Sequence, residues 1–419
     1  MTQTSPIWHP FTQHAIFPKM HPIVSAQGAW LTDADGRRIF DAVSSWWVVT
    51  HGHCHPKIVA AIQSQAARLD QVIFAGYTHE PAERFTERLL ARVPDRLTRV
   101  FFSDSGSTAV EVALKMALGF WRHAGDGRAR IVVMENGYHG DTVGTMSAGE
   151  RGVFNQPYEP LMFGVDRLPF PAPGAEQATL DALEGFARTG QVAALLLEPL
   201  VLGAGGMLVY PPWVLAEMAA ICARHDVLLI ADEVMTGWGR TGTFLACEQA
   251  GVAPDIVCLS KGITGGSLPL AVTLAREDVY QAHFSKDRAK TFFHSSSYTA
   301  NAIACAAAEA NLAIWDSEPV PDRIAAVSAL QADGAARLKS APGLANVRQV
   351  GTILAADIAT PAGGYMSDLG PDLMRFFADR NLLIRPLGAT LYLLPPYCST
   401  GADLAACHDA MAEAGARFG

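Results

Sequence analysis

Cysteine is scarce and scattered in this sequence. The seven are Cys54, Cys222, Cys247, Cys258, Cys305, Cys398 and Cys407, an odd number with no C-x-x-C pair. That argues against a disulfide framework and a structural zinc site, and leaves buried free thiols in a reducing compartment as the expectation. Basic charge is short as well: 32 Lys and Arg face 41 Asp and Glu, a net −9. Nucleic acid would meet a repulsive field, although a local basic residue can still hold a small anion. No apolar run is long enough to span a bilayer. The opening Met1-Thr-Gln-Thr-Ser-Pro-Ile-Trp-His-Pro10 has neither the basic nor the apolar part of a secretory signal. A cytoplasmic protein without membrane or nucleic-acid partners is expected. Internal repeats, low-complexity tracts and a Pro/Gly/Ser linker are missing too, so domains should lie in close contact.

What is present is a large core to bury: half of the 419 residues are hydrophobic and 17% charged. Residues 23–41 read as an antiparallel strand pair turning at Asp35-Gly36. Helical spacing follows over 56–70 and 81–92. Then short, continuously apolar strands (100–102, 131–134, 193–197, 227–231, 256–259, 270–274) alternate with helices at 107–122 and 213–225. That pattern predicts an α/β fold with a mostly parallel sheet covered on both faces, and a site beyond the carboxyl ends of its strands. From about 311 a helix at 322–340, strands at 347–357 and 382–394 and a last helix at 402–417 predict a smaller α+β domain. The expected division is 1–50 packing with the small domain, 51–310 as the large domain, and 311–419 as the small one.

Four strand ends carry the chemistry. Asp232 ends the strand 227–231, where a carboxylate is costly unless it meets a positive partner such as a protonated pyridinium nitrogen. The competing reading is an acid that caps a loop or pairs with Arg240. Lys261 follows the strand 256–259 and precedes Gly262, Gly265 and Gly266. Partial burial would lower its pKa and favour a Schiff base, although a lone lysine is usually solvated. Ser105-Gly106-Ser107 opens the helix after 100–102 and could cradle one phosphate, or be an ordinary serine cap. In Asn136-Gly-Tyr-His-Gly-Asp141, Tyr138 could stack on a flat ring or serve as a core aromatic, and Asp141 could orient a neighbour. Each part is weak alone. Together they describe a site for pyridoxal 5′-phosphate held by Lys261 as an internal aldimine, with a small-molecule amino donor and keto acceptor.

Other patterns read as decoys. Gly237-Trp-Gly-Arg-Thr-Gly242 satisfies G-x-G-x-x-G, but the acids Asp232-Glu233 intervene after the strand, and no helix clearly opens there. His51-Gly-His-Cys-His55 is expected to form a turn with helix-capping imidazoles rather than a metal site. Glu198-Pro199 with the Gly203–Gly206 segment could be catalytic, but a strand-end acid before a flexible loop is the safer reading.

The run Leu228-Leu-Ile-Ala-Asp-Glu-Val-Met-Thr-Gly-Trp-Gly-Arg-Thr-Gly242 followed by Lys261 resembles class III, fold-type I pyridoxal-phosphate aminotransferases. The resemblance covers nearly the whole chain. It implies that Asp232 meets the pyridinium and Lys261 carries the cofactor and shuttles protons. It also implies that Gly106 and Ser107 bind the phosphate, and that Ser296 and Ser297 serve the other subunit of a homodimer with shared active sites. Within the class, Ile7-Trp8-His9-Pro10, Ser44-Ser-Trp-Trp47, Arg385-Pro-Leu-Gly388 and Tyr392-Leu-Leu-Pro-Pro-Tyr397 are similar to a biotin-pathway branch. That branch moves an amino group from S-adenosylmethionine to 8-amino-7-oxononanoate. The resemblance implies Trp46, Tyr138, Ser295 and Tyr392 at the substrate and Arg385 on the donor carboxylate, a role suited to its planar fork. An ω-amino acid aminotransferase using pyruvate or 2-oxoglutarate is the alternative. The chain departs from the branch at Phe11, where a substrate-contacting tyrosine is usual, at Leu202 in place of glutamine, and at Ser295-Ser296-Ser297 in place of Gly-Pro-Thr or Gly-His-Ser.

Overall fold

The continuously apolar segments become the strands of one seven-stranded sheet in a computed structural model, which describes residues 6–17, 20–360 and 367–419. Met1–Ser5, read above for a leader, lie outside the described residues. Across the sheet the order is Leu97–Ser103, Ala271–Arg276, Ile256–Leu259, Leu228–Asp232, Val192–Leu197, Arg130–Met134 and Asp166–Leu168. Only Ala271–Arg276 runs antiparallel to its neighbours. Val192–Leu197 and Leu228–Asp232 are buried along their whole length, which is why they read as unbroken apolar runs rather than alternating ones. Register does the positioning. Asp232 pairs with Cys258, so the chain leaving Leu259 toward Lys261 emerges beside the Asp232 carboxylate.

Residues 23–41 form three strands rather than the expected two: Ile23–Gln27, Trp30–Asp33 and Arg38–Asp41. The extra reversal sits at Gly28, whose φ of +58° suits a tight turn. The expected strand 382–394 splits into Leu382–Leu383 and Thr390–Leu393, which join different sheets. Pro386 and the left-handed Gly388 (φ +62°) break it between them. Leu382–Leu383 adds in parallel to Arg38–Asp41, while Thr390–Leu393 completes an antiparallel sheet with Leu344–Val350 and Ile353–Ile358. Phe40 packs in the same core as Leu354, Phe377, Leu391 and Met411, so the strand Arg38–Asp41 shares a core with the C-terminal segment.

The helix Ala302–Ser317 went unanticipated because it has no polar stripe. Alanines bury it on most sides, and it packs on the helices Pro56–Ala66 and Glu80–Leu90. A division at 310/311 would cut this helix. We propose instead that the large domain runs to Ser317 and the small one begins at Glu318. Among the described residues, no helix is long and apolar enough to cross a membrane.

Candidate active site

The strand ends converge on a cleft of about 350 Å³. Its lining brings together Gly106, Ser107, Tyr138, Asp232 and Lys261 with Phe11, Trp46, Arg385 and Tyr392. Ser105 and Ser295–Ser297 are not part of that lining. Ser105 is the N-cap of the helix Gly106–His123, where its hydroxyl accepts the Thr108 amide in a reciprocal capping box. Ser296 donates to Asp104, Ser295 to the Ser296 carbonyl, and Ser297 is exposed.

The helix start is shaped for a close ligand. Its first turn carries no acidic residue, and the amides of Gly106 and Ser107 have no partner within the helix. A Cβ on Gly106 would lie 2.7 Å from Val234 Cγ1, and one on Gly140 (φ +136°) would lie 2.1 Å from Ser107 Oγ. Gly106 and Gly140 can therefore carry no side chain here.

Asp232 does not pair with Arg240. That arginine is fully buried and turned away, donating to the carbonyls of Pro395, Trp47 and Val49. Asp232 accepts the Val234 amide through Oδ1 and bonds His139 Nδ1 through Oδ2 at 2.8 Å. A carboxylate only accepts, so Nδ1 carries the proton, and His139 Nε2 is left buried without a hydrogen-bond partner among the described residues. His139 stood in the quoted motif, but nothing in its spacing could reveal a partner ninety-odd residues away.

Lys261 makes no ion pair among the described residues, and its Nζ lies 4.6 Å from the centre of the Trp47 ring. Burial pushes its ammonium down to about 8. The charges of Asp232 and Glu198 pull upward and that of Arg240 downward. Burial and the neighbouring Asp141 push the Tyr138 phenol well up, so it stays a donor. Glu198, for which the strand-end reading was the safer of two, lines the cleft and is pushed up to about 7 by burial. Its two oxygens accept the amides of Tyr138 and Gly203, tying two loops of the wall together.

Trp46 and Trp47 reach the cleft through an unusual backbone. Ser44, Ser45, Trp46 and Trp47 have φ of 52°, 46°, 73° and 76°, one left-handed turn without a glycine. Such geometry costs on the order of 1–2 kcal/mol per residue. Outside contacts hold it: Ser44 Oγ donates to the Leu394 carbonyl, Asp41 takes both the amide and hydroxyl of Ser45, and Trp47 Nε1 donates to the Tyr392 hydroxyl. Opposite, Arg385 lies 5.3 Å from the Trp46 ring and donates to the Phe11 carbonyl. Phe11 (φ 48°) sets its ring edge-on to Trp46 and Phe154.

The histidine run holds separate posts. His51 bonds Asn311, His53 bonds Asp41 and His55 approaches Glu318. His55 occupies the N-cap of Pro56–Ala66, but its ring does not cap, contrary to the expectation, because Glu318 draws it aside.

A partly buried strand-end lysine beside a strand-end carboxylate, over a helix start opened by the bare backbone of Gly106, is the layout of an aminotransferase. The chain belongs to the class III aminotransferases, whose family model, "Aminotransferase class-III", matches residues 13–414. A relative from Synechococcus elongatus, named adenosylmethionine-8-amino-7-oxononanoate aminotransferase, is 47% identical over 97% of each chain. A solved structure of an enzyme of that name from Methanocaldococcus jannaschii superposes with a TM-score of 0.94 at 32% identity, covering 99% of this chain and 97% of that one. An amine transaminase from an uncultivated Pseudomonas species, solved in a PLP-bound form, gives 0.91 at 34% identity over 99% of each chain.

Proposed function

We propose that the chain transfers an amino group from S-adenosylmethionine to 8-amino-7-oxononanoate, giving 7,8-diaminononanoate for biotin synthesis. The observation that carries this reading is the full-length similarity to enzymes of that name, across a chain whose cleft joins Lys261 and Asp232 to Trp46 and Arg385.

Pyridoxal 5′-phosphate fits the residues present. The bared amides of Gly106 and Ser107 would take its phosphate, with Ser105 holding the helix start in place. Asp232 would face the ring nitrogen, Tyr138 the ring, and Lys261 the carbonyl carbon. When bound, the cofactor supplies a carbonyl that captures amines and a ring that accepts electrons. The chain's own residues do the rest. His139 holds Asp232 in place through its Nδ1 proton. Lys261, neutral at little cost because burial has lowered its pKa, takes the proton from the donor carbon that bears the amine and returns it to the acceptor. Arg385 releases the Phe11 carbonyl to grip the donor carboxylate in a bidentate pair. Trp46 and Tyr392 wall the substrate from water.

A second copy of the chain completes the site in this reading. Ile73, Tyr77, Phe293 and Tyr298 are all more than 60% exposed. Gln71, which bonds the Ser297 carbonyl and Asn301, ties their two loops together. An apolar patch of this kind supports a homodimer in which Ser297 of each copy serves the other's phosphate. A monomeric mass in solution for the holoenzyme would remove that part.

Similarity to an amine transaminase keeps one rival, an ω-amino acid aminotransferase. Half-reactions followed at the cofactor absorbance separate the two. S-adenosylmethionine is expected to convert the cofactor at least tenfold faster than alanine, glutamate or lysine at equal concentration. Faster conversion by alanine or glutamate gives the function to the rival.

A further inference from the structure

The turn that carries Lys261 has little of its own to hold it. Lys261–Thr264 is one short turn, with Gly262 inside it and Gly265 and Gly266 directly after. Glycine offers no side chain to pack, so such a segment is soft unless its backbone is tied down. Lys261 also takes a left-handed φ of 44°, a conformation disfavoured in any residue with a Cβ. It persists only where the surroundings fix it.

The tie comes from the helix Ala302–Ser317. Its buried residues are alanines, Cys305, Leu312, Ile314 and Trp315, with one exception, Asn311. A buried amide is costly unless its bonds are made, and here they are. Asn311 Nδ2 donates to the carbonyls of Gly262 and Ile263, at 3.1 and 3.0 Å. With the nitrogen committed to two acceptors, Asn311 Oδ1 faces His51 Nε2 at 2.8 Å, and an oxygen that only accepts places the proton on Nε2. Burial pushes the His51 ring down to about 4 against the upward pull of Asn311, so it stays a neutral donor. Neutral hydrogen bonds thus run from His51 through Asn311 to the two residues that follow Lys261.

We propose that Asn311 is a positioning residue for Lys261, setting the direction in which its amine leaves the turn, with His51 acting through Asn311. The inference rests on Lys261 as the amine that captures the cofactor carbonyl, and it holds whichever amino donor the enzyme uses. Neither Asn311 nor His51 lines the cleft, so both act through the backbone. A lysine stem is long, and a small rotation at its base moves Nζ far. A misplacement of about 1 Å can cost about 10²-fold in rate.

The molecule contains its own control. Gln331, on the helix Val320–Leu338, is fully buried, donates to the Thr352 carbonyl and bonds His408 Nε2. It is the same arrangement of histidine, amide and carbonyl, ending on Thr352 rather than on the lysine turn. Asn311→Leu and Gln331→Leu therefore delete like bonds in two places. Capture of pyridoxal 5′-phosphate by the apo chain, followed at the cofactor absorbance, should slow tenfold or more in Asn311→Leu. In its holoenzyme the half-reaction rate at saturating donor should fall with it, while donor KM changes less than twofold. Gln331→Leu should lower the melting temperature but leave capture within twofold of wild type. Equal slowing in the two variants, or none in Asn311→Leu, overturns the positioning role. Asn311→Ala, which leaves room for a water at the two carbonyls, carries the same comparison where the leucine chain does not fold. His51→Leu should slow capture about threefold and add nothing to Asn311→Leu. Losses that multiply in the double variant remove His51 from the path. A wild-type apo chain that captures no cofactor defeats the role of Lys261 itself. Capture that ignores Asn311 defeats only the positioning.

Discussion

Lys261→Ala is expected to lose turnover by about 10⁴-fold or more, while the chain still binds the cofactor. The size follows from two roles carried by one atom. In the proposed mechanism Nζ would hold the cofactor and would also move the proton between carbon atoms. Removing a positioned acid–base group alone costs about 10²–10⁴-fold, and loss of the nucleophile adds to that. Retained binding follows from the other groups, since the Gly106 and Ser107 amides at a helix start and Asp232 at a strand end are held independently of Lys261. A pH series tests the same atom from the other side. The Lys261 ammonium is pushed down to about 8, so its neutral, reactive fraction grows as pH rises through that value. Cofactor capture by the wild-type apo chain should therefore speed up between about pH 7 and 9 and level off above, and the alanine variant should show no such rise. Near-normal turnover in the variant sinks the mechanism.

Asp232→Asn should lower kcat/KM by about 10²–10³-fold, with little change in fold. The amide is nearly the size of the carboxylate and can still meet His139 and the Val234 amide. What it lacks is the charge that keeps a ring nitrogen protonated. Truncating one partner of a buried charge pair costs about 2–5 kcal/mol, and each 1.4 kcal/mol is about tenfold. The loss should fall on the proton-transfer step rather than on substrate binding, so single-turnover rates should drop while donor KM holds. A variant that loses donor affinity yet keeps its rate at saturation would falsify the assignment of Asp232 to the ring.

Lys261 and Asp232 could be read from the sequence because each follows a fully buried strand, and such strands are visible as unbroken apolar runs. The helix start at Gly106 was legible from the short apolar run Val100–Phe102 before it, although its strand Leu97–Ser103 is buried only in part. The converse cases are instructive. His139 owes its position to Asp232 at the end of another strand, and Glu198 to amides in two separate loops, and local pattern carries no trace of either. The capping role of Ser105 and the phosphate role share one sequence signature, and only the reciprocal bonds with Thr108 show where its hydroxyl points. Ala302–Ser317 escaped notice because a helix buried on most sides has no stripe. The strand at 382–394 broke in two because Pro386 and Gly388 turn the chain, a signal that was present and outweighed by the apolar residues around it.

The left-handed turn at Ser44–Trp47 has a bearing on how the enzyme can change. Glycine or asparagine at Trp46 would ease a backbone that tryptophan occupies against its preference, yet either would open the wall facing Arg385. Thermal robustness and selectivity therefore pull this position in opposite directions. Libraries sorted only for heat resistance should drift there toward a roomier, less discriminating cleft, while selection for turnover should keep the tension in place.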